Sequence, residues 1–133
     1  MNKNVNLGLL AMRLSIGILF LMHGIAKIQY GVGGTLGLIE KAGVPSALGY
    51  LVYVGEVLAP LMLIVGFRSR IGALLVAGTM AFVMLFIQPD KFGQTMPTGA
   101  WGLEVQGLFL FGALAIFFAG GGKYAVSTKS KWD

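Results

Sequence analysis

The sequence predicts an all-α integral membrane bundle of four transmembrane helices, with a short interfacial helix between helices one and two. Three observations carry that reading. Counting glycine and leaving out tyrosine, roughly 69% of the chain is apolar, where soluble domains sit near 45–50%. Charged residues make up 11% against about 25% in soluble domains, too few to cover the surface of a 133-residue chain in water. Four apolar runs, each of about 20 residues, are long enough to cross a bilayer. The chain is sized for a single domain, residues 1–133.

The first helix is the run Leu7 to Ile28, interrupted only by Arg13, His23 and Lys27. Arg13 lies inside that run and no A-x-A-like cleavage site follows, which favours an uncleaved span over a signal peptide. Between helices one and two, Gly33 to Pro45 reads as the short interfacial helix. Thr35 is its candidate N-cap, and Gly43 followed by Pro45 its stop. The second span, Leu48 to Phe67, carries Glu56 and Pro60. The third, Ile71 to Ile87, holds no charge, and the fourth, Trp101 to Ala119, has Glu104 in its first turn.

The link Phe67-Arg68-Ser69-Arg70 makes helices two and three antiparallel neighbours, and its arginines fall on the side of Lys3, Lys123, Lys129 and Lys131. Lys41 and Lys91 lie opposite, beside Glu40 and Asp90. By the positive-inside rule the expected topology is multi-pass with both termini cytoplasmic. Tyr30, Phe92 and Trp101 outside, with Tyr124 and Trp132 inside, suit aromatic belts. The cations form no stripe interleaved with aromatics, so nucleic acid is not expected as a partner. Glu56-Val57 and Glu104-Val105 each open an inward-running apolar stretch and suggest an internal repeat of two hairpins.

Cysteine is absent, which removes a disulfide framework, a thiol nucleophile and an iron–sulfur cluster. A single histidine argues against haem and against a histidine-rich metal site. The chemistry is expected where ionisable groups enter hydrocarbon, since each costs at least a few kcal/mol there and turns inward. Arg13, Gly17, Phe20, Gly24 and Lys27 share an arc of roughly 80° on helix one, with His23 at its edge. Glycines at 17 and 24 let a neighbouring backbone come close. Tyr53, Glu56, Val57, Pro60 and Ile64 share a face of helix two, and Ala73, Ala77 and Ala81 line helix three.

Depth counted from the ends of the apolar runs places Arg13 within reach of Glu56, as a mid-membrane ion pair. Such a pair also arises simply to fix helix register. His23, Lys27 and Glu104 fall near the outer edge, where long side chains also snorkel to the interface. With Tyr53 they supply hydrogen-bond donors and a proton-exchanging group beside Phe20, Phe92 and Trp101, the needs of a quinone headgroup.

The series Arg13-x-x-x-Gly17-x-x-Phe20-x-x-x-Gly24-x-x-Lys27, Gly43-Val44-Pro45, Glu56 ahead of Gly66-Phe67-x-x-Arg70, Glu104, and Gly122-Lys123-Tyr124 resembles the DoxX family of small membrane proteins. The resemblance implies a four-span bundle in a bacterial inner membrane. Founding members of the family are linked to a thiosulfate:quinone oxidoreductase, and other relatives to quinone stress, detoxification or membrane oxidoreductase complexes. This chain has Ile87-Gln88 where many relatives carry a histidine near the end of helix three, and Ala125-Val126-Ser127 where they close on Ser-Leu-Asp. The expected function is a small subunit of a quinone-linked oxidoreductase or a quinone-handling protein. A non-catalytic partner or assembly subunit of a larger membrane complex is the alternative, followed by a small-solute carrier. The lipid bilayer and either a membrane protein or further copies of the chain are the expected partners.

Overall fold

The computed structural model describes residues 3–30, 43, 47–87 and 93–133, with backbone alone at 27–30, 47–54, 86 and 87. Four α-helices follow one another: α1 (Lys3–Tyr30), α2 (Ala47–Val65), α3 (Ser69–Phe82) and α4 (Glu104–Ala119). A π-helical turn, Val83–Ile87, extends α3. Among the described residues there is no strand beyond a single antiparallel bridge between Thr95 and Trp101. The expected interfacial helix over 33–45 lies outside the described residues except for Gly43, which turns at φ 78°.

Length and composition qualify one described stretch, Lys3–Ala26, to cross a membrane, with a mean hydropathy of 1.9. Gly55–Val65, Ser69–Leu85 and Glu104–Ala119 are apolar but shorter. The fourth helix starts at Glu104 and not at Trp101, because residues 94–102 close a small loop first. Met96 N–H donates to Ala100 O at 2.6 Å and Gly102 N–H to Gln94 O at 2.8 Å, and the Glu104 amide then bonds Trp101 O at 3.0 Å. Glu104 is therefore the first residue of its helix, whereas Glu56 sits nine residues into α2 and is buried. The two Glu-Val pairs are not equivalent, and the proposed repeat of hairpins fails on that difference.

Each helix packs against its neighbours in the chain, and α4 returns to α1, closing a ring of four. Glycines set the register. A Cβ on Gly17 would meet Ile64 Cγ1 at 2.8 Å and Pro60 O at 3.0 Å, and one on Gly24 would run into the carbonyl oxygen of Glu56. Positions rising along α1 thus face positions falling along α2, an antiparallel crossing at close backbone approach. Gly72 against Ala59 and Met62, with Gly55 against Thr79, repeats the pattern between α2 and α3. Gly112 against Ile16 and Met12 does the same between α4 and α1.

The interior holds Phe20, Leu63, Val76, Ala113 and Ile116 together with Arg13 and Glu56, the last two 0% and 3% exposed. The outward faces hold large apolar side chains, Leu108, Phe111 and Phe118 among them, the last 72% exposed. Charge inside and phenylalanine outside is the reverse of the pattern water selects.

The Gly24 seat yields a direct contrast. Its would-be neighbour is backbone and cannot rotate away, so Gly24→Ala is expected to cost about 1–3 kcal/mol. Gly78, with nothing within 4 Å of its would-be Cβ, is expected to tolerate alanine or gain up to about 1 kcal/mol from helix propensity. Unfolding in detergent, followed by circular dichroism, checks both. Equal destabilisation of the two variants would mean that Gly24 is not the closest approach of α1 and α2.

Candidate functional site

Two places in the bundle bring chemistry-bearing side chains together, one at each end of α1. At its C-terminal end His23 stands at the edge of the face that packs on α4. Its ring meets Phe109 edge-on, with centroids 5.8 Å apart and planes at 87°. Phe20 completes the group at 6.4 Å from His23 and 5.2 Å from Phe109. Phe20 and Phe109 are buried while His23 is exposed, so the imidazole forms the rim of an aromatic wall. Edge-to-face contact of this kind holds a ring's plane.

Glu104 lies at the same end of the bundle, because α4 runs antiparallel to α1, but it is exposed and on the far side of α4 from the buried Phe109, Ala113 and Ile116. His23 and Glu104 share no hydrogen bond or ion pair. The side chains of Lys27 and Tyr53 lie outside the described residues.

At the other end of α1 sits Arg13, wholly buried. Its Nη1 donates to Leu63 O at 3.0 Å and its Nη2 to the carbonyl oxygen of Tyr124, so one guanidinium joins α1, α2 and the segment after α4. Gly66, at φ 80°, makes room for it, since a Cβ there would strike both Nη1 and Ala125. The expected Arg13–Glu56 ion pair is not formed. Register is the reason: Gly24 seats on Glu56, and Arg13 lies eleven residues back along α1, roughly 16 Å along the axis. That exceeds the combined reach of the two side chains. Counting depth along each helix separately missed the offset that the glycine contacts impose between them.

Around Arg13 the segment 120–133 folds back over the end of the bundle. Lys123 N–H donates to Asn6 Oδ1 at 3.0 Å, Val126 N–H to Val65 O at 3.1 Å, Ser127 N–H to Gly66 O at 3.2 Å, and Arg70 N–H to Trp132 O at 2.9 Å. The Asp133 carboxylate accepts from Ser127 Oγ and from the Ser130 amide, both at 2.7 Å, and pairs with Arg68 at 3.4 Å. Enclosure works to raise its pKa, but the Ser127 hydroxyl, the Ser130 amide and Arg68 outweigh that and hold the group below its ordinary 3.8. Of the cations expected on one side, Arg68, Arg70 and Lys123 contribute contacts at this end of the bundle. Asn6 and Asp133, which anchor the segment, were not expected from the sequence; an amide side chain in the first two turns of an apolar helix was the available signal for Asn6.

Because Arg13 serves two carbonyl groups at once, Arg13→Lys, a single point donor, is expected to lose about 1–3 kcal/mol for the orphaned carbonyl. A double-mutant cycle of Arg13→Lys with Glu56→Gln is expected to give additive losses, within about 0.5 kcal/mol. A coupling of 1 kcal/mol or more between them would reinstate the ion pair.

The chain matches the model of the DoxX family over residues 8–89. It is 31% identical over 88 residues to a Bacillus subtilis (strain 168) protein named "Putative oxidoreductase CatD", the match covering 66% of this chain and 65% of that protein. The chain thus spans somewhat less than two thirds of that relative's length. The family match takes in α1 to α3 with Arg13, His23, Lys27, Tyr53 and Glu56, and ends ahead of Glu104 and the 120–133 segment. No solved structure matches the chain.

Proposed function

Because the chain belongs to the DoxX family, we propose that it is a four-span membrane protein that handles a quinone, as a small component of a membrane oxidoreductase, at the His23 end of the bundle. The observation that carries this reading is the exposed His23 imidazole set on the Phe20–Phe109 wall. The name of the Bacillus relative supports redox chemistry in the same family. The inverted patterning, with Arg13 and Glu56 inside and Phe111 and Phe118 outside, supports a lipid surround for all four helices. Six cations of the loops and ends on one side against two on the other support a cytoplasmic location for both termini.

The residues present fit such a ligand. A quinone headgroup is a flat ring with two carbonyl oxygens. His23 offers an N–H to one oxygen and buried aromatic edges for the ring. Lys27, one turn further along α1, is the second donor, and Tyr53 on α2 a third. Glu104, exposed at the same end, exchanges protons with the aqueous side. When bound, the quinone supplies a carrier of two electrons and two protons that the protein's own side chains cannot provide. The protein's part is to hold the headgroup, orient it against Phe20 and Phe109, and keep a proton donor at its oxygen. No metal, haem or iron–sulfur cluster enters this reading.

His23→Leu is expected to weaken quinone retention by about 1–3 kcal/mol, the scale of one hydrogen bond lost to a bound polar group, with the helices intact by circular dichroism. Quinone extracted from detergent-purified parent and variant measures it. Equal retention in both, or none in the parent under oxidising and reducing conditions alike, overturns the reading in favour of a non-catalytic subunit that packs through its exposed apolar face.

A further inference from the structure

A cleft of about 370 Å³ opens where the 120–133 segment meets the end of the bundle, within the 300–1,000 Å³ range common for small-molecule sites. Its floor is Gly120-Gly121-Gly122, and its polar walls are Arg70, Lys123, Lys131, Thr128, Ser130 and Asp133. We propose that this cleft binds a phosphate-bearing anion, such as the headgroup of an anionic phospholipid.

The charge count is uneven. The carboxylate side chain in the walls, that of Asp133, is already committed to Arg68, Ser127 and Ser130, and the main-chain oxygen of Asp133 accepts from the Gly121 amide at 2.7 Å. Arg70, Lys123 and Lys131 have no ion pair among the described residues; Lys123 Nζ and Lys131 Nζ lie over the rings of Tyr124 and Trp132, at 5.9 and 5.5 Å. Cation–ring contacts commit neither ammonium to an oxygen acceptor.

Arg70 supplies the geometry. Its Nη1 is spent on two carbonyls of the last turn of α4, Phe117 O at 3.0 Å and Phe118 O at 3.1 Å, which fixes the guanidinium plane. The opposite edge, Nε and Nη2, makes no hydrogen bond among the described residues and lies beside Gly120, where a Cβ would stand 3.2 Å from Nη2, 3.5 Å from Nε and 3.4 Å from the main-chain oxygen of Asp133. Glycine at that position keeps the edge uncovered. That edge is the two-donor fork that matches two oxygens of one phosphate, and it is held rigid before any ligand arrives. Hydroxyls of Thr128 and Ser130 add donors, and the lysines complete the charge. Charge inside a cleft with fixed donors differs from a loose run of basic residues on a surface, which needs only to face anionic lipid.

Two sources share this chemistry, a phospholipid headgroup and free phosphate, and the test separates them. The intact chain in neutral detergent is offered phosphatidylglycerol and phosphatidylcholine, and bound lipid is read by native mass spectrometry. Inorganic phosphate binding is read by ³¹P line broadening. Phosphatidylglycerol is expected to be retained over phosphatidylcholine, and Lys123→Gln with Lys131→Gln to lower that retention about 25-fold, fivefold for each lysine. Arg70→Lys, keeping the charge and losing the fork, is expected to lower it about fivefold or more. Phosphate broadening that the lysine variants abolish, without a preference between lipids, also supports the site and assigns it to a soluble anion. Equal retention of both lipids with no phosphate broadening, or lysine variants that bind as the parent does, overturns the proposal. Because the cleft is at the opposite end of α1 from His23, quinone retention is expected to be unchanged in the lysine variants.

Discussion

A guanidinium buried in an apolar bundle must spend its hydrogen bonds, and where Arg13 spends them organises one end of this protein. With no carboxylate beside it among the described residues, it takes backbone carbonyls, Leu63 O on α2 and Tyr124 O beyond α4. Backbone oxygens become available only where a helix ends or a chain runs irregularly, so the two Nη groups of Arg13 find acceptors only when α2 ends near Val65 and the 120–133 segment lies across it, while its Nε stays without a partner among the described residues. The Gly66 turn, the absence of a side chain there and the return of Val126 and Ser127 to Val65 O and Gly66 O all follow from that demand. A buried charge thus specifies topology, linking the first helix, the second and the last segment of the chain.

The opposite end is governed by a different constraint. Gly24 seats on the backbone of Glu56, drawing α1 and α2 together, and the approach of α4 at Phe109 leaves His23 at the rim of the contact. One end of the bundle is therefore fastened by polar contacts, and the other presents a polar group at an apolar wall.

Much of this was legible in the residues. Long apolar runs announced the helices, because a run of about 20 apolar residues has few other uses in a chain with 11% charge. Glycines 17 and 24 on the face of Arg13 announced a close crossing, and that crossing is made. The partner of Arg13 was not legible. Backbone carbonyls belong to every residue, so no side chain marks them, and the offset between two helices is decided by their contacts and not by counting along either one. Glu104 shows a related limit: its position along the chain put it at the His23 end, but the face it takes on α4 depended on where the helix began, and the Thr95–Trp101 bridge moved that start by three residues. The folding back of 120–133 was hidden in part for the same reason as Arg13's partner, since Val126 and Ser127 bond the main-chain oxygens of Val65 and Gly66.

Amide hydrogen exchange across residues 120–133 of the intact protein in detergent tests most directly whether Arg13 holds that segment to the bundle. The amides of Gly121, Lys123, Val126 and Ser127 are bonded to Asp133 O, Asn6 Oδ1, Val65 O and Gly66 O, and the account predicts that they exchange orders of magnitude more slowly than a free peptide. Exchange of these four amides at free-peptide rates, alongside protected amides in α1 to α4, would contradict it.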